Sequence, residues 1–128
     1  EVNRMESDSI LSERALREIY LRGFEICVKQ SQPWTVMTSY NIVNGVRASE
    51  NYDTITGILR GEWGFNGMVT TDWENHATQS AELKAGNDMK MPYGHPDKVM
   101  AALKEGKISR AEIETCVKRI LEMILKLD

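Results

Sequence analysis

Apolar positions early in the chain recur at helical spacing. Leu16, Ile19, Tyr20, Phe24 and Cys27 share one side of a helix that Ser12 can cap and that ends near Gln30. After the turn at Ser31-Gln32-Pro33, residues 34–39 are short and rich in β-branched side chains, the pattern of a buried strand. Residues 41–49 follow neither period and read as a loop. Helical spacing returns over residues 52–60, with Ile55, Ile58 and Leu59 on one side and Gly61 as the stop. A turn-rich stretch, Glu62-Trp-Gly-Phe-Asn-Gly67, leads into a second strand over residues 68–71. Ala77, Ala81 and Ala85 then mark a short helix closed by Gly86, and residues 87–91 read as a third short strand ended by Pro92. In the tail, Pro96 opens one helix and Gly106 ends it. Ser109-Arg-Ala-Glu112 is a capping box in front of a stripe of Ile113, Cys116, Val117, Ile120, Leu121 and Ile124.

Strands alternating with helices make this an α/β chain, with right-handed crossovers and a parallel sheet as the expectation. Ligands of such sheets gather at the carboxyl ends of the strands. That rule singles out Tyr40-Asn41 after the first strand, Asp72-Trp73 after the second and Asp88 near the third.

Composition narrows the classes. A chain of 128 residues, 41% hydrophobic and 27% charged, is sized for one domain and built like an ordinary globular protein. No run of about 18 apolar residues occurs, so no membrane span is expected. No basic start followed by an apolar stretch marks a secretory signal, but Glu1 rather than Met opens the chain, as in a piece of something longer. The net charge of −3 and the mixing of signs leave no basic stripe for a nucleic-acid backbone. Cys27 and Cys116 each fall on a predicted apolar helix face, where buried thiols are expected, and no Cys/His cluster has the spacing of a metal site.

Asp72 is the informative residue. Between a strand and a helix, an Asp can serve simply as a helix cap. Trp73 beside it and Tyr40 one strand over point elsewhere, because sugar rings offer C–H faces to an indole and hydroxyls to a phenol, while an ionised Asp can attack an anomeric carbon. Together they suit glycosyl transfer.

Several stretches in order strengthen this reading. Val36-Met-Thr-Ser-Tyr-Asn-Ile-Val-Asn-Gly45, Ile58-Leu-Arg-Gly-Glu-Trp-Gly-Phe-Asn-Gly67 and Val69-Thr-Thr-Asp-Trp73 resemble consecutive motifs of glycoside hydrolase family 3 β-glucosidases, from the sixth to the seventh strand of a (β/α)8 barrel. Ala85-Gly-Asn-Asp-Met-Lys-Met-Pro92 resembles the eighth-strand motif and Glu13-Arg-Ala-Leu-Arg-Glu-Ile-Tyr20 the fifth barrel helix. The resemblance implies that Asp72 is the catalytic nucleophile and that Trp73, Tyr40 and Met37 line the subsite of the terminal sugar, with Asp88 serving the barrel. It further implies a retaining double displacement that needs neither metal nor organic cofactor. The partner carboxyl, about 5 Å from the nucleophile, is implied to come from a separate α/β sandwich domain. A Lys-His pair and further sugar-contacting Asp and Arg residues are expected from earlier barrel strands. Glu50, Glu62 and Glu74 sit on no acid/base motif and read as solvated charges. Thr71 stands where the family usually has Ser, and Glu74-Asn75-His76 replaces small residues, with His76 read as an exposed helix-start side chain.

The implied activity is hydrolysis of terminal β-D-glucosyl residues. Other specificities within the family (β-xylosidase, N-acetylglucosaminidase) and a non-catalytic carbohydrate-binding or structural remnant are the alternatives. A complete (β/α)8 barrel takes about 250 residues, so residues 1–128 would supply about the last three strands with their helices. The end at Leu127-Asp128 would fit a parent whose barrel comes last. Partners are then a β-glucoside, the remaining barrel and the sandwich domain. With open sheet edges, the isolated chain is expected to self-associate or to depart from strict barrel geometry.

Overall fold

The computed structural model describes residues 2–127. A short strand β1 (Asp8–Ser9) precedes a helical block made of α1 (Glu13–Ala15), a wide-turned stretch (Leu16–Tyr20) and α2 (Arg22–Ser31). Ser12 caps it as expected, its side chain accepting from the Ala15 N–H, and Gln32 closes it in the left-handed region at φ 48°. The face carrying Ile19, Tyr20, Phe24 and Cys27 is exposed, and the helix buries Val28 instead. Cys27 is thus a surface thiol, contrary to the sequence expectation, whereas Cys116 is 2% exposed.

The strands fall into two small sheets, and the fold is mixed α/β. β2 (Thr35–Met37) pairs in parallel with β5 (Met68–Thr70), Thr35 opposite Met68 and Met37 opposite Thr70. The first strand is not buried as its composition suggests: Val36 packs on the core while Trp34 and Met37 are half-exposed. The expected third strand over 87–91 reduces to one parallel bridge, Thr70 to Met89. Side chains interrupt the ladder there, beginning with Asp88, whose Oδ2 accepts the Val69 N–H at 2.8 Å.

Residues 41–49 are not a plain loop. They form a hairpin of β3 (Ile42–Val43) and β4 (Val46–Arg47), with β1 joined in parallel to β3. Asn44 and Gly45 turn it at φ 50° and 82°, the left-handed pair that a tight hairpin requires. The Asn-Gly dipeptide was the available signal; the brevity of the flanking strands hid it.

A 3₁₀ turn (Ala48–Glu50) and a wide-turned helix (Asp53–Glu62) follow. The latter buries Ile55, Ile58 and Leu59. Ile55 and Leu59 join Val28, Phe65, Val69 and Ala85 in one core, with Val36 and Trp63 at its margin. α3 (Gln79–Ala85) starts later than Ala77, and Gly86 caps it at φ 97°. α4 (Pro96–Lys104) opens with proline in its first turn, and the capping box of α5 (Arg110–Leu125) forms with both reciprocal bonds. α5 buries Cys116 but leaves Val117, Leu121 and Ile124 exposed.

Candidate active site

The site is built where β2 and β5 end side by side. Asp72 follows β5, is half-buried, and accepts the Trp73 N–H on Oδ1 at 2.7 Å. It caps no helix, because α3 begins only at Gln79 with Thr78 as N-cap. Across the parallel pair, Tyr40 reaches over and its hydroxyl donates to the Trp73 carbonyl at 2.5 Å. Desolvation, followed by the adjacent Asp72 carboxylate, pushes the Tyr40 phenol above its ordinary range. Trp73 is 56% exposed, an indole face open to solvent beside the carboxylate. Met37, opposite Thr70 in the register, is likewise exposed on the strand next to Asp72.

One member escaped the sequence reading. The Arg4 guanidinium lies 4.9 Å from the centroid of the Tyr40 ring, bringing a cation to the mouth of the site. No local pattern flags it, since pairing of β1 with β3 and the Arg47 hydrogen bond to the Met5 carbonyl carry this segment there.

The loop after Trp73 is pinned from below. Lys90 Nζ donates to Asn75 Oδ1 at 2.7 Å, to the Ala77 carbonyl at 3.2 Å and to Glu82 Oε2 at 2.9 Å. Lys90 and Glu82 side chains are 6% and 2% exposed, a buried ion pair that holds the loop to α3. His76 is exposed as expected, but it lies in a turn and its Nδ1 sits 2.8 Å from Glu6 Oε1. His76 and Arg47 hold the Glu6 carboxyl below its usual range. Glu62 pairs with Arg17, Glu50 accepts the Thr78 N–H at 2.6 Å, and Glu74 is exposed at φ 54°.

Asp88 stands apart from this mouth. Its side chain is fully buried between Arg60 at 2.7 Å and Arg119 at 3.0 Å. A cleft of about 670 Å³ lined by Glu13, Arg17, Tyr52 and Glu62 includes no residue of the Asp72 loop, so Asp72 lies outside that cleft. Among the described residues no group of three or more His, Cys, Asp or Glu side chains could hold a metal ion, and no helix is long and apolar enough to cross a membrane.

Asp72, with the Tyr40 phenol beside it and the exposed Trp73 next in the chain, offers a nucleophilic oxygen, a hydroxyl and an indole, groups that can meet a polyhydroxylated ring. Known proteins share this stretch of chain. Beta-glucosidase A of Butyrivibrio fibrisolvens is 48% identical over 114 residues, covering 89% of this chain and 14% of the relative. An exo-alpha-(1->6)-L-arabinopyranosidase of Bifidobacterium breve is 39% identical over 127 residues, covering 98% and 17%. The structure of beta-glucosidase 3B from Thermotoga neapolitana in complex with glucose superposes with a TM-score of 0.92 at 47% identity, over 96% of this chain and 19% of that one. The chain therefore spans less than a fifth of the length of the relatives it matches. The model of the glycosyl hydrolase family 3 N terminal domain matches residues 5–123, and the chain belongs to glycoside hydrolase family 3.

Proposed function

We propose that residues 1–128 are the closing part of a (β/α)8 barrel in a longer retaining β-glycosidase, and that Asp72 is its nucleophile. The observation that carries this is the meeting of Tyr40 and the Trp73 N–H at Asp72, with Arg4 over the Tyr40 ring, at the carboxyl ends of two parallel strands. In the first step Asp72 attacks the anomeric carbon while a carboxylic acid from another part of the parent, about 5 Å away, protonates the departing oxygen. The same group then draws a proton from water as the glycosyl ester is hydrolysed, and configuration is retained. Trp73 offers its exposed ring to the sugar face, and Met37 borders the same subsite. The exposed apolar faces of α2 and α5 fit packing against the rest of the barrel and its neighbouring domain. The chain alone has the nucleophile without its acid, so it is inactive by itself.

Glucose is the favoured sugar, because a β-glucosidase is among the most similar relatives. A family 3 enzyme of other specificity is the second reading, favoured by the similarity to an arabinopyranosidase at 39% identity. The test is to treat the full-length protein with an aryl 2-deoxy-2-fluoro-β-D-glucoside and map the adduct. A single glycosyl ester on Asp72 is expected, and D72N should lose at least about 10³-fold in kcat with little change in fold. Labelling at another residue would overturn the assignment.

A further inference from the structure

The backbone departs from a regular parallel ladder on both sides of Met89, at Asp88 before it and, nearer Asp72, at the Thr71 side chain. Where β5 meets the segment at Met89, the Val69 carbonyl accepts both Asp88 N–H at 2.8 Å and Met89 N–H at 3.2 Å, and Thr71 N–H donates to the Met89 carbonyl at 2.9 Å. A regular ladder would continue with Met91 N–H on the Thr71 carbonyl and Trp73 N–H on the Met91 carbonyl. Neither bond forms. Met91 N–H instead donates to the Thr71 hydroxyl at 2.9 Å, and the Met91 carbonyl accepts from Glu74 N–H at 3.2 Å.

The hydroxyl has taken the place of its own main-chain carbonyl, and the next bond has slipped by one residue. This is the local logic of a bulge, where an extra residue re-aims a side chain. Its consequence reaches the carboxylate, because Trp73 N–H, released from the ladder, is the donor on Asp72 Oδ1 at 2.7 Å. The positive φ of Glu74, 54°, absorbs the extra residue. Thr71 is 1% exposed, so no bulk water competes for its hydroxyl.

We infer that Thr71 is the positioning residue of the nucleophile: its hydroxyl, by accepting Met91 N–H, shifts the ladder by one residue and leaves Trp73 N–H to orient the Asp72 carboxylate. This rests on Asp72 being the nucleophile. It gives the residue before Asp72 a requirement for a hydroxyl rather than for a particular size, which Thr and Ser both meet.

The full-length protein and its T71V and T71S variants would be inactivated with an aryl 2-deoxy-2-fluoro-β-D-glucoside, with the adduct mapped in each. T71V keeps the volume but loses the acceptor; T71S keeps the acceptor but leaves a small void. T71V is expected to slow the covalent step by about 10–10²-fold, as a displacement of the attacking atom does. Its apparent inhibitor affinity should stay within about threefold. T71S should react within about threefold of the parent, although its lost methyl lowers the thermal midpoint; T71V also lowers the midpoint, by leaving Met91 N–H without an acceptor. A purely structural role would leave the rate of the covalent step in the folded fraction of T71V equal to that of the parent and show only as a lower thermal midpoint, so the rates are measured below the midpoint of every variant. If T71V does not accumulate folded, T71C against T71S repeats the comparison at matched size, with the weaker thiol acceptor expected to react about tenfold more slowly. Equal rates in T71V and the parent, with the adduct on Asp72, would overturn the positioning role and leave the nucleophile standing. An adduct elsewhere in the parent would remove the nucleophile reading itself.

Discussion

The Asp88 carboxylate is buried and held through both of its oxygens. Oδ2 accepts from Arg60 and from the Val69 N–H, and Oδ1 from Arg119. Arg60 is bound further to the Gly67 and Gly86 carbonyls, and burial pulls its pKa below the ordinary guanidinium value. The same surroundings push the Cys116 thiol up to about 12, with desolvation as the main cause and Asp88 as the second. Removing the carboxylate strands two guanidinium groups, one of them buried, which costs about 3–5 kcal/mol. Asp88→Asn should therefore lower the thermal midpoint of the parent protein sharply, while Glu6→Gln at the exposed His76 pair should leave it almost unchanged; scanning calorimetry of both decides. Equal midpoints would show that the Asp88 network adds nothing. Motif order set Asp88 apart as a residue of the framework, and its side chain is buried between two arginines. The partners of Asp88 were not legible from motif order, because Arg60 and Arg119 lie far apart in sequence and meet only through the helices that carry them.

Helix ends were the most readable parts of the fold. Ser12, Ser109 with Glu112, Pro96 and Gly86 each act within one turn of their own position, so their local chemistry survives any tertiary context. Gly86 also does something no local rule reveals. A Cβ there would stand 2.6 Å from the Thr56 hydroxyl, whereas at Gly106, also at positive φ, it would meet open space. Gly106→Ala should cost about 1–2 kcal/mol for the left-handed backbone alone. Gly86→Ala should add about 1–3 kcal/mol of overpacking, since Thr56 is already tied to the Ala85 carbonyl at 2.8 Å. Denaturant midpoints for the two variants would test the difference, and matching midpoints would show that Thr56 yields freely. Strands were read less well. The hairpin over Ile42–Val43 and Val46–Arg47 is too short for a period of two to show, and the third strand dissolved into a bridge because side chains of Asp88 and Thr71 occupy ladder positions.

Large apolar side chains remain uncovered on two sides of the chain: Ile19 at 69% and Phe24 at 62% exposed near α2, Leu121 at 54% and Ile124 at 50% on α5. β2 pairs on one edge only, leaving a free edge among the described residues. Apolar faces beside an open edge favour association, so the isolated 128-residue chain should sediment as oligomers whose size grows with concentration. Monomeric sedimentation at all concentrations would count against that expectation. The sequence by itself determined the helices and their caps, the α/β order and the placing of Asp72 and Trp73 after a strand, because these follow from periodicity and from contacts within a few residues. Only the tertiary structure decided which predicted faces are buried, that Arg4 stacks on Tyr40, that Lys90 and Glu82 anchor the loop and that Thr71 displaces the ladder. Each of those depends on pairing between segments distant in sequence, where burial and hydrogen-bond competition outweigh local preference.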